Sequence, residues 1–479
     1  MSAVPATDLH DALAAIVGVQ HVSTDDESRE RLSFDAVTAH RLGGRSELAG
    51  ARVEAVARPA TTEEVAAVVV FASERGIPVV PYGGGTGVMG AVVPVRGGIA
   101  LDLRRMDDIL EVSREDRMAR VQPGVYLADL DAVARDHGMM LGHDPWSVPI
   151  ATVGGAISTD SVGYRASRYG SMGQQVRALE VVLGSGEVVR TRPIQRQSSG
   201  PMLKGLFAGA EGTMGVITEA TIDLRSLPEA REFASVGFDT FEQGYPVVAR
   251  LFDIGLVPAL IDLTEEPATP ENAAPCILYL GFEGYREQVE AQRTRAMAEA
   301  LAAGGRDLGP GPTREYWETR HAVAERWRDH TRPLRPTERW KEQRWRYADY
   351  LHVAMPVSRV LAYKRSCEEI AARHGLDIRE SAVWTHPELF SVFVRVPAPP
   401  PLPTGEDRGE GAAAALRQAV DAMLEEALRL GGGVEYCHGL GVKLGGWAER
   451  EWGDALLLAR RLKRAVDPDG ILNPGKLGL

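Results

Sequence analysis

Between Pro81 and Gly90 the chain reads PYGGGTGVMG. Five glycines in ten residues free the backbone from most Cβ restrictions, so successive N–H groups can turn toward one anionic ligand. A pyrophosphate suits that chemistry, although glycine clusters also form plain tight turns. Downstream, the backbone of Thr152 to Gly155 and the hydroxyls of Ser158 and Thr159 offer hydrogen bonds to a polar cofactor. Arg165, Arg168 and Tyr169 offer partners to an anion or a ring, while the same stretch also reads as a surface Ω-loop. Residues 314–350 hold four of the eight tryptophans, Trp317, Trp327, Trp340 and Trp345, among many arginines. Arg320, Arg335 or Arg344 can therefore hold a carboxylate or phosphate at a partly desolvated surface, or simply staple a helix face through ion pairs. In EYCHGLGVKLGGW, residues 435–447, His438 can take up a proton near neutral pH, with the Cys437 thiol beside it. Tyr347 and Tyr436 are candidate hydrogen-bond donors to a reacting oxygen, and each can equally be a packing residue.

These groups need elements to place them. A strand ending at Ala57, the helix Val65 to Arg75 and the strand Val79 to Val80 lead into the glycine loop, with Thr61 and Glu64 at capping-box spacing. That is a βαβ beginning, but no helix follows the glycines, so the loop backbone itself must cradle the ligand. Strands at Ile99 to Leu103 and Met118 to Val121 and a packing helix from Leu127 to His137 follow. Residues 141 to 173 then show little periodicity over a length unusual for a plain connector. Val176 to Arg190 reads as a hairpin around Gly184-Ser185-Gly186, and a helix from Met202 to Ala208 leads to GAEGTMGVITEATIDL. Beyond Ala230 come strands at Phe233 to Phe238, Ala259 to Leu263 and Cys276 to Phe282, with helices Glu242 to Phe252 and Tyr285 to Ala303; Cys276 reads as a small core residue. Tyr350 to Met355 leads through Pro356 and Ser358 into a helix Val360 to His374, and strands at Ile378 to Trp384 and Phe390 to Val396, a Pro/Gly-rich excursion at 398–411 and a helix Ala412 to Leu430 complete the pattern, which suggests an antiparallel sheet covered by helices. Residues 1 to 45 carry no evident chemistry.

With 479 residues the chain exceeds a single core, and 44% hydrophobic with 25% charged residues is ordinary for a globular enzyme. A net charge of −12 argues against nucleic-acid binding. Three scattered cysteines fit neither a disulfide framework nor a zinc or iron–sulfur site, and no metal site is expected. The absence of a signal-like start or a long apolar run points to the cytoplasm, with peripheral membrane contact left open.

PYGGGTG, TVGG followed by ST and YG, and EGTMGVITEA, in this order and spacing, resemble the FAD-binding domain of the vanillyl-alcohol oxidase and p-cresol methylhydroxylase flavoproteins. DPDGILNPGKL, residues 467 to 477, is similar to the closing motif of the D-lactate dehydrogenase and glycolate oxidase branch. The resemblance implies an α+β fold: a two-subdomain FAD-binding domain of the p-cresol methylhydroxylase type over residues 1–229, an α+β cap with an antiparallel sheet over 230–430, and a segment, 431–479, returning to the FAD domain. It implies that Gly83, Gly84, Gly85, Thr86 and Gly87 hold the pyrophosphate with Pro81 and Tyr82 at its entrance. Thr152, Gly154, Gly155 and Ser158 then line the flavin and its phosphates, and Glu211, Gly212 and Ile217 lie near the adenosine half. No His or Cys occurs in the glycine loop, so the FAD is expected to be non-covalent.

Hydroxyacid dehydrogenases of this family carry an acidic residue before His-Gly and a GDGN motif flanked by histidines. Here the counterparts are Tyr436-Cys437-His438-Gly439 and Trp384-Thr385-His386-Pro387-Glu388. Alkyl-dihydroxyacetone-phosphate synthases carry three histidines there, of which only His438 has a match, yet GHDPWS, TVGG, SSGP and FEQG are more similar to that branch. The resemblance implies an FAD-dependent oxidoreductase that oxidises an alcohol or 2-hydroxy acid by hydride transfer to flavin. His438 would be the base, assisted by Tyr436, Tyr347 and Arg344. The alternatives are a synthase-like transferase using FAD without net redox, and a flavin-binding subunit dependent on partners. The expected partners are a small anionic substrate and an unidentified electron acceptor, with a homodimer allowed and no nucleic acid.

Overall fold

The first βαβ unit forms because each boundary is chemically marked. In the computed structural model, which describes residues 6–42, 46–195, 198–267, 275–343, 347–397 and 408–479, helix Thr62–Ser73 begins at Thr61, whose hydroxyl accepts from the Glu64 amide at 3.2 Å. The Glu64 carboxylate accepts from the Ala60 amide at 2.7 Å, so the side chains of Thr61 and Glu64 fix the helix start and the residue before its cap. Gly76, with φ of 61°, ends the turn and returns the chain into strand Val79–Tyr82. Strands Ala55–Ala57, Ile99–Asp102 and Val79–Tyr82 pair in parallel, with Val22–Ser23 antiparallel at the edge.

A second sheet follows. Ile109–Ser113, Met118–Val121, Val216–Ser226, Val176–Val182 and Val188–Arg190 lie side by side in that order, with Met139–Leu141 also on Val216–Ser226. The hairpin expected over Val176 to Arg190 is present. Two local expectations are corrected. Residues 141 to 173 contain helices Val153–Ser158 and Ala166–Tyr169, the first opened by the Thr152 hydroxyl accepting from the Gly155 amide at 3.4 Å. Val153, Ala156 and Ile157 place a short apolar stripe in the second core, but a glycine-containing helix of 6 residues is too short to show a helical period in the sequence. The expected helix Met202 to Ala208 is only a 3₁₀ turn, Leu203–Leu206, with Met202 and Leu203 left exposed while Leu206, Phe207 and Ala208 reach the second core.

The third sheet has seven antiparallel strands in the order Arg306–Gly309, Ala230–Phe238, Cys276–Gly284, Leu260–Glu265, Asp377–Trp384, Leu389–Arg395 and Ala348–Ala354. One face packs Val236, Phe238, Leu278, Leu280, Val392 and Val394 with residues such as Phe241 and Tyr363 from helices Phe241–Asp253 and Val360–Arg373. Cys276 is fully buried in that core, where burial pushes its thiol well up. The other face is turned to the first two sheets. The period-two alternation of strands decides which side chains appear there. Residues 398–407 of the Pro/Gly-rich segment lie outside the described residues.

The carboxy-terminal segment closes back on the first sheet. The Val79 amide donates to Ile471 and the Asn473 amide to Val79, both at 2.8 Å, placing this strand-like segment beside Val79–Tyr82. Lys463 and Lys476, buried, donate to the carbonyls of Thr213 and Val93 at 2.7 Å. No helix among the described residues is long and apolar enough to cross a membrane.

The first two sheets meet backbone to backbone at the glycine loop. A Cβ on Gly84 would lie 2.3 Å from the Ile150 carbonyl oxygen, a rigid neighbour that cannot move aside. Gly84→Ala is therefore expected to cost about 1–3 kcal/mol in urea unfolding. Gly50→Ala, where the added methyl meets nothing within 4 Å, should stay within about 0.5 kcal/mol of the parent.

Candidate active site

A cavity of about 670 Å³ runs between the three sheets. One wall is the glycine loop. Among the described residues, no backbone N–H from Gly84 to Val88 donates an intramolecular hydrogen bond, so a run of donors faces the cavity without acceptors. The facing wall is helix Val153–Ser158, approached so closely that a Cβ on Gly83 would stand 2.5 Å from Thr152 Oγ1. Ser158 Oγ donates to the Gly154 carbonyl at 2.8 Å. Pro81, Tyr82, Gly83, Gly84, Gly85, Thr86, Gly87, Thr152, Gly154, Gly155, Ser158, Glu211, Gly212 and Ile217 all line this one cavity.

Glu211 serves the wall in a way the sequence did not suggest. Its carboxylate accepts from the Gly441 amide through both oxygens, at 3.0 and 3.1 Å, and so ties the carboxy-terminal segment to the floor. Burial raises its carboxyl to about 7, against the lowering influence of the Gly441 amide and Lys476. Asn473 donates to the Ala91 and Glu211 carbonyls at 2.9 and 2.6 Å, while its buried Oδ1 has no partner and the residue lines the cavity.

The other end of the cavity is made where the cap sheet meets the segment 435–443. Glu380, Ala382 and Trp384 point into it from one strand, Tyr350 and His352 from another and Asp262 from a third, while Val383, Leu351, Val353, Ile261 and Leu263 point into the core. His438 also lines it. Glu435 Oε1 accepts from the amides of Cys437 and His438 at 2.8 and 3.0 Å and stands 3.5 Å from His438 Nδ1. Burial disfavours the charged imidazole, but the Cys437 sulfur and Glu435 more than reverse that, leaving His438 raised to about 10. His352 lies 4.6 Å from His438, ring centre to ring centre, and its Nδ1 pairs with Ser391 Oγ at 2.6 Å. Burial, with the charges of His438, Arg41 and Lys443 around it, holds His352 well below the ordinary imidazole value and hence neutral. Burial and the Asp262 carboxylate raise the Glu380 carboxyl to about 8.

Not every expected residue comes to this end. Tyr436 is not among the lining side chains; its hydroxyl is paired with Ser391 Oγ at 2.9 Å and its ring stands 5.6 Å from His352. Tyr347 lies at the start of the edge strand, packed against the cap core and away from the cavity lining. Arg344 lies outside the described residues. Arg335 is tied to Asp26 and Glu30 on the amino-terminal segment. Arg320 does line the cavity, with its guanidinium 3.9 Å above the Trp317 ring and 3.1 Å from Asp144. Arg165 is buried between Asp144 and Glu283, at 3.6 and 3.7 Å, and serves an interdomain ion pair rather than a ligand.

Several lining residues were missed, Arg41 and His352 among them. Residues 1 to 45 carry chemistry after all: Arg41 lines the cavity, with Nε 2.9 Å from Asp349 and Nη2 3.5 Å from the Tyr350 carbonyl. Lys443 shares the same carboxylate at 2.7 Å, so two cations meet one carboxylate beside the histidines. His352 was missed too. Its signal was available, because Tyr350 and His352 are polar alternates in a strand whose intervening residues are apolar.

Residues 53–192 match the FAD binding domain family model, and residues 227–477 match the FAD linked oxidases C-terminal domain. The chain belongs to the FAD-linked oxidase family. It is 27% identical to the glycolate oxidase subunit GlcD of Bacillus subtilis, over 98% of this chain and 96% of that one. It is 29% identical to a D-lactate dehydrogenase of Archaeoglobus fulgidus, over 88% of this chain and 90% of the other. It is 27% identical to the alkyldihydroxyacetonephosphate synthase of Trypanosoma brucei brucei, over 88% of this chain and 73% of the other. A solved structure of p-cresol methylhydroxylase with substrate bound shares the fold, with a TM-score of 0.75 at 20% identity over 99% of this chain and 96% of that one.

The residues present fit FAD. The cavity is long enough to run from the glycine loop to the cap sheet, the loop amides are donors without acceptors, and Asn473 Oδ1 is an acceptor without a donor. The glycine loop carries no histidine or cysteine to form a flavin bond, in keeping with FAD held non-covalently.

The Glu211 carboxyl gives a measurable pH effect. Because the folded state holds this proton to about pH 7 whereas the ordinary value is 4.5, the native state binds more protons between those limits and loses stability as pH rises through them. The loss is about 3 kcal/mol. In urea unfolding from pH 4.5 to 8 at saturating FAD, Glu211→Gln should show a correspondingly flatter decline than the parent.

Proposed function

We propose that this FAD-linked oxidase oxidises a small 2-hydroxy acid, with His438 accepting the hydroxyl proton. The observation that carries the reading is the juxtaposition, at one end of the cofactor cavity, of two lining imidazoles, His438 and neutral His352, with the Arg41–Asp349–Lys443 cluster, in which two cations share one carboxylate. FAD supplies the two-electron acceptor for hydride from the carbinol carbon. Everything else falls to the chain. Arg41 holds the substrate carboxylate, since Asp349 cannot neutralise both cations that share it. His438 takes the hydroxyl proton as hydride leaves, and its raised affinity for that proton makes the neutral ring a strong acceptor. Neutral His352 offers a ring nitrogen to the reacting oxygen without adding charge. Ser391 fixes that ring, because its hydroxyl is met by His352 Nδ1, the Trp384 indole N–H at 3.0 Å and Tyr436 at 2.9 Å. The oxidoreductases among the relatives, a glycolate oxidase subunit and a D-lactate dehydrogenase, support this substrate class. Two of the three histidines expected of a synthase-like transferase are absent from the segment around His438, where Tyr436 and Cys437 stand.

Anaerobic mixing with D-lactate, glycolate and longer 2-hydroxy acids should bleach the flavin absorbance. The rate should rise with pH as His438 gives up its resting proton. His438→Gln should slow bleaching at least about 100-fold while retaining FAD; an unchanged rate would remove His438 from the reaction. Release of a fatty acid from an acyl-dihydroxyacetone phosphate without lasting bleaching would favour the transferase instead. Arg41→Gln should raise the half-saturating concentration of a 2-hydroxy acid about 10- to 100-fold with a smaller effect on the limiting rate, as loss of a charge-assisted hydrogen bond requires.

A further inference from the structure

A second cavity, of about 180 Å³, adjoins the first, and Tyr82, Gly84 and Gly85 line both. The glycine loop is thus a partition. What distinguishes the smaller cavity is its charge: Arg31, Arg58, Arg104, Arg332 and Arg339 all line it. Carboxylates compensate three of them. Arg104 binds Asp102 through Nε and Nη2 at 2.8 Å, Arg58 leans on the same carboxylate at 3.3 Å, and Arg31 holds Glu27 at 2.8 Å. Among the described residues no carboxylate lies within ion-pair distance of Arg332 or Arg339. Arg332 reaches only the Tyr126 hydroxyl at 3.4 Å, and Arg339 reaches the Asp35 carbonyl at 3.4 Å. Arg339 is 8% exposed and its buried Nε has no partner.

Burying a guanidinium with no carboxylate in direct ion-pair contact is costly, and gathering five around one small space adds mutual repulsion. Burial indeed lowers the proton affinity of Arg339, with Arg31 adding to the effect while Tyr82, Asp35 and Glu30 oppose it. Guanidinium forks match the oxygens of a tetrahedral dianion, and the cavity volume suits a phosphoryl group rather than a nucleotide. We propose that this cavity is a binding site for a phosphate dianion, free or as the phosphoryl group of a small ester, distinct from the FAD site and sharing the glycine loop with it. The anion would join Arg31, Arg58 and Arg104, from the amino-terminal half, to Arg332 and Arg339, on the segment that crosses from the cap. Closing that gap fixes the loop whose other face cradles the cofactor, so occupancy should slow FAD release. The site stands independently of which alcohol the enzyme oxidises.

The test is calorimetric titration of inorganic phosphate into FAD-loaded enzyme in a chloride buffer, with sn-glycerol 3-phosphate as a second titrant. One saturable site per chain is expected, with FAD release by stopped-flow fluorescence slowed about threefold or more when it is filled. Tighter binding of glycerol phosphate than of phosphate would assign the site to an ester, and the reverse to the free anion; either supports the proposal. Arg332→Gln should weaken binding about tenfold or more while leaving the flavin spectrum unchanged. Arg339→Gln should do the same, and if that buried change prevents folding, Arg332→Gln alone decides. Phosphate binding only to FAD-free protein would show that the cavity belongs to the cofactor site. That result, no saturable binding, or parental affinity in Arg332→Gln would each overturn the proposal.

Discussion

The approach of the glycine loop to the Ile150–Gly155 backbone is the constraint on which the rest of the molecule depends. At Gly83 and Gly84 a side chain is forbidden because Thr152 Oγ1 and the Ile150 carbonyl already occupy its place. The two sheets share a core in which Val182 and Val216 pack with Val79, Ile99 and Leu101, and at the loop the contact is through backbone, where among the described residues the amides of Gly84 to Val88 have no protein acceptor. An extended cofactor completes that interface. The same geometry sets the depth of the cavity and puts the smaller arginine-lined space directly behind the loop.

The cap is positioned by charge as well as by its own core. Asp144 gathers Arg165, Arg320 and His321, and Glu283 on the cap sheet meets Arg165 and Arg231. Such buried pairs give little net stability but are destabilising when incomplete, so they favour one docking geometry over others. That geometry brings the polar alternates of three cap strands over the His438 end. The carboxylates Asp262 and Glu380 lie on one side of the chamber, and the Arg41–Asp349–Lys443 cluster lies beside the histidines. On the proposed reading, that asymmetry would orient a substrate with a carboxylate and a hydroxyl.

The carboxy-terminal segment links these two parts. It supplies His438 to the chamber and Asn473 to the cofactor wall, and its Gly441 amide is held by Glu211. Buried lysines at 463 and 476 fasten it through carbonyl oxygens rather than through apolar contact. Position in the chain is thus a poor guide to position in the site: Arg41 and His438, almost four hundred residues apart, line the same space.

The sequence by itself determined the cofactor, the α+β class with its antiparallel cap sheet, and most of the residues that line the glycine-loop wall of the cavity. Those features rest on local chemistry, on glycines that alone permit the close approach, on a threonine that opens a helix and on strand periodicity, and local chemistry is written in adjacent residues. Tertiary structure alone decided the reacting end. Tyr436 was adjacent to His438 in sequence, yet its hydroxyl is engaged by Ser391, and Tyr347 was carried into the cap core. Arg41 and His352 became neighbours of His438 only because a cap strand and the amino-terminal segment converge there. Long-range pairing of charges and the face on which each strand residue emerges depend on how whole sheets dock, and no short window of sequence contains that information.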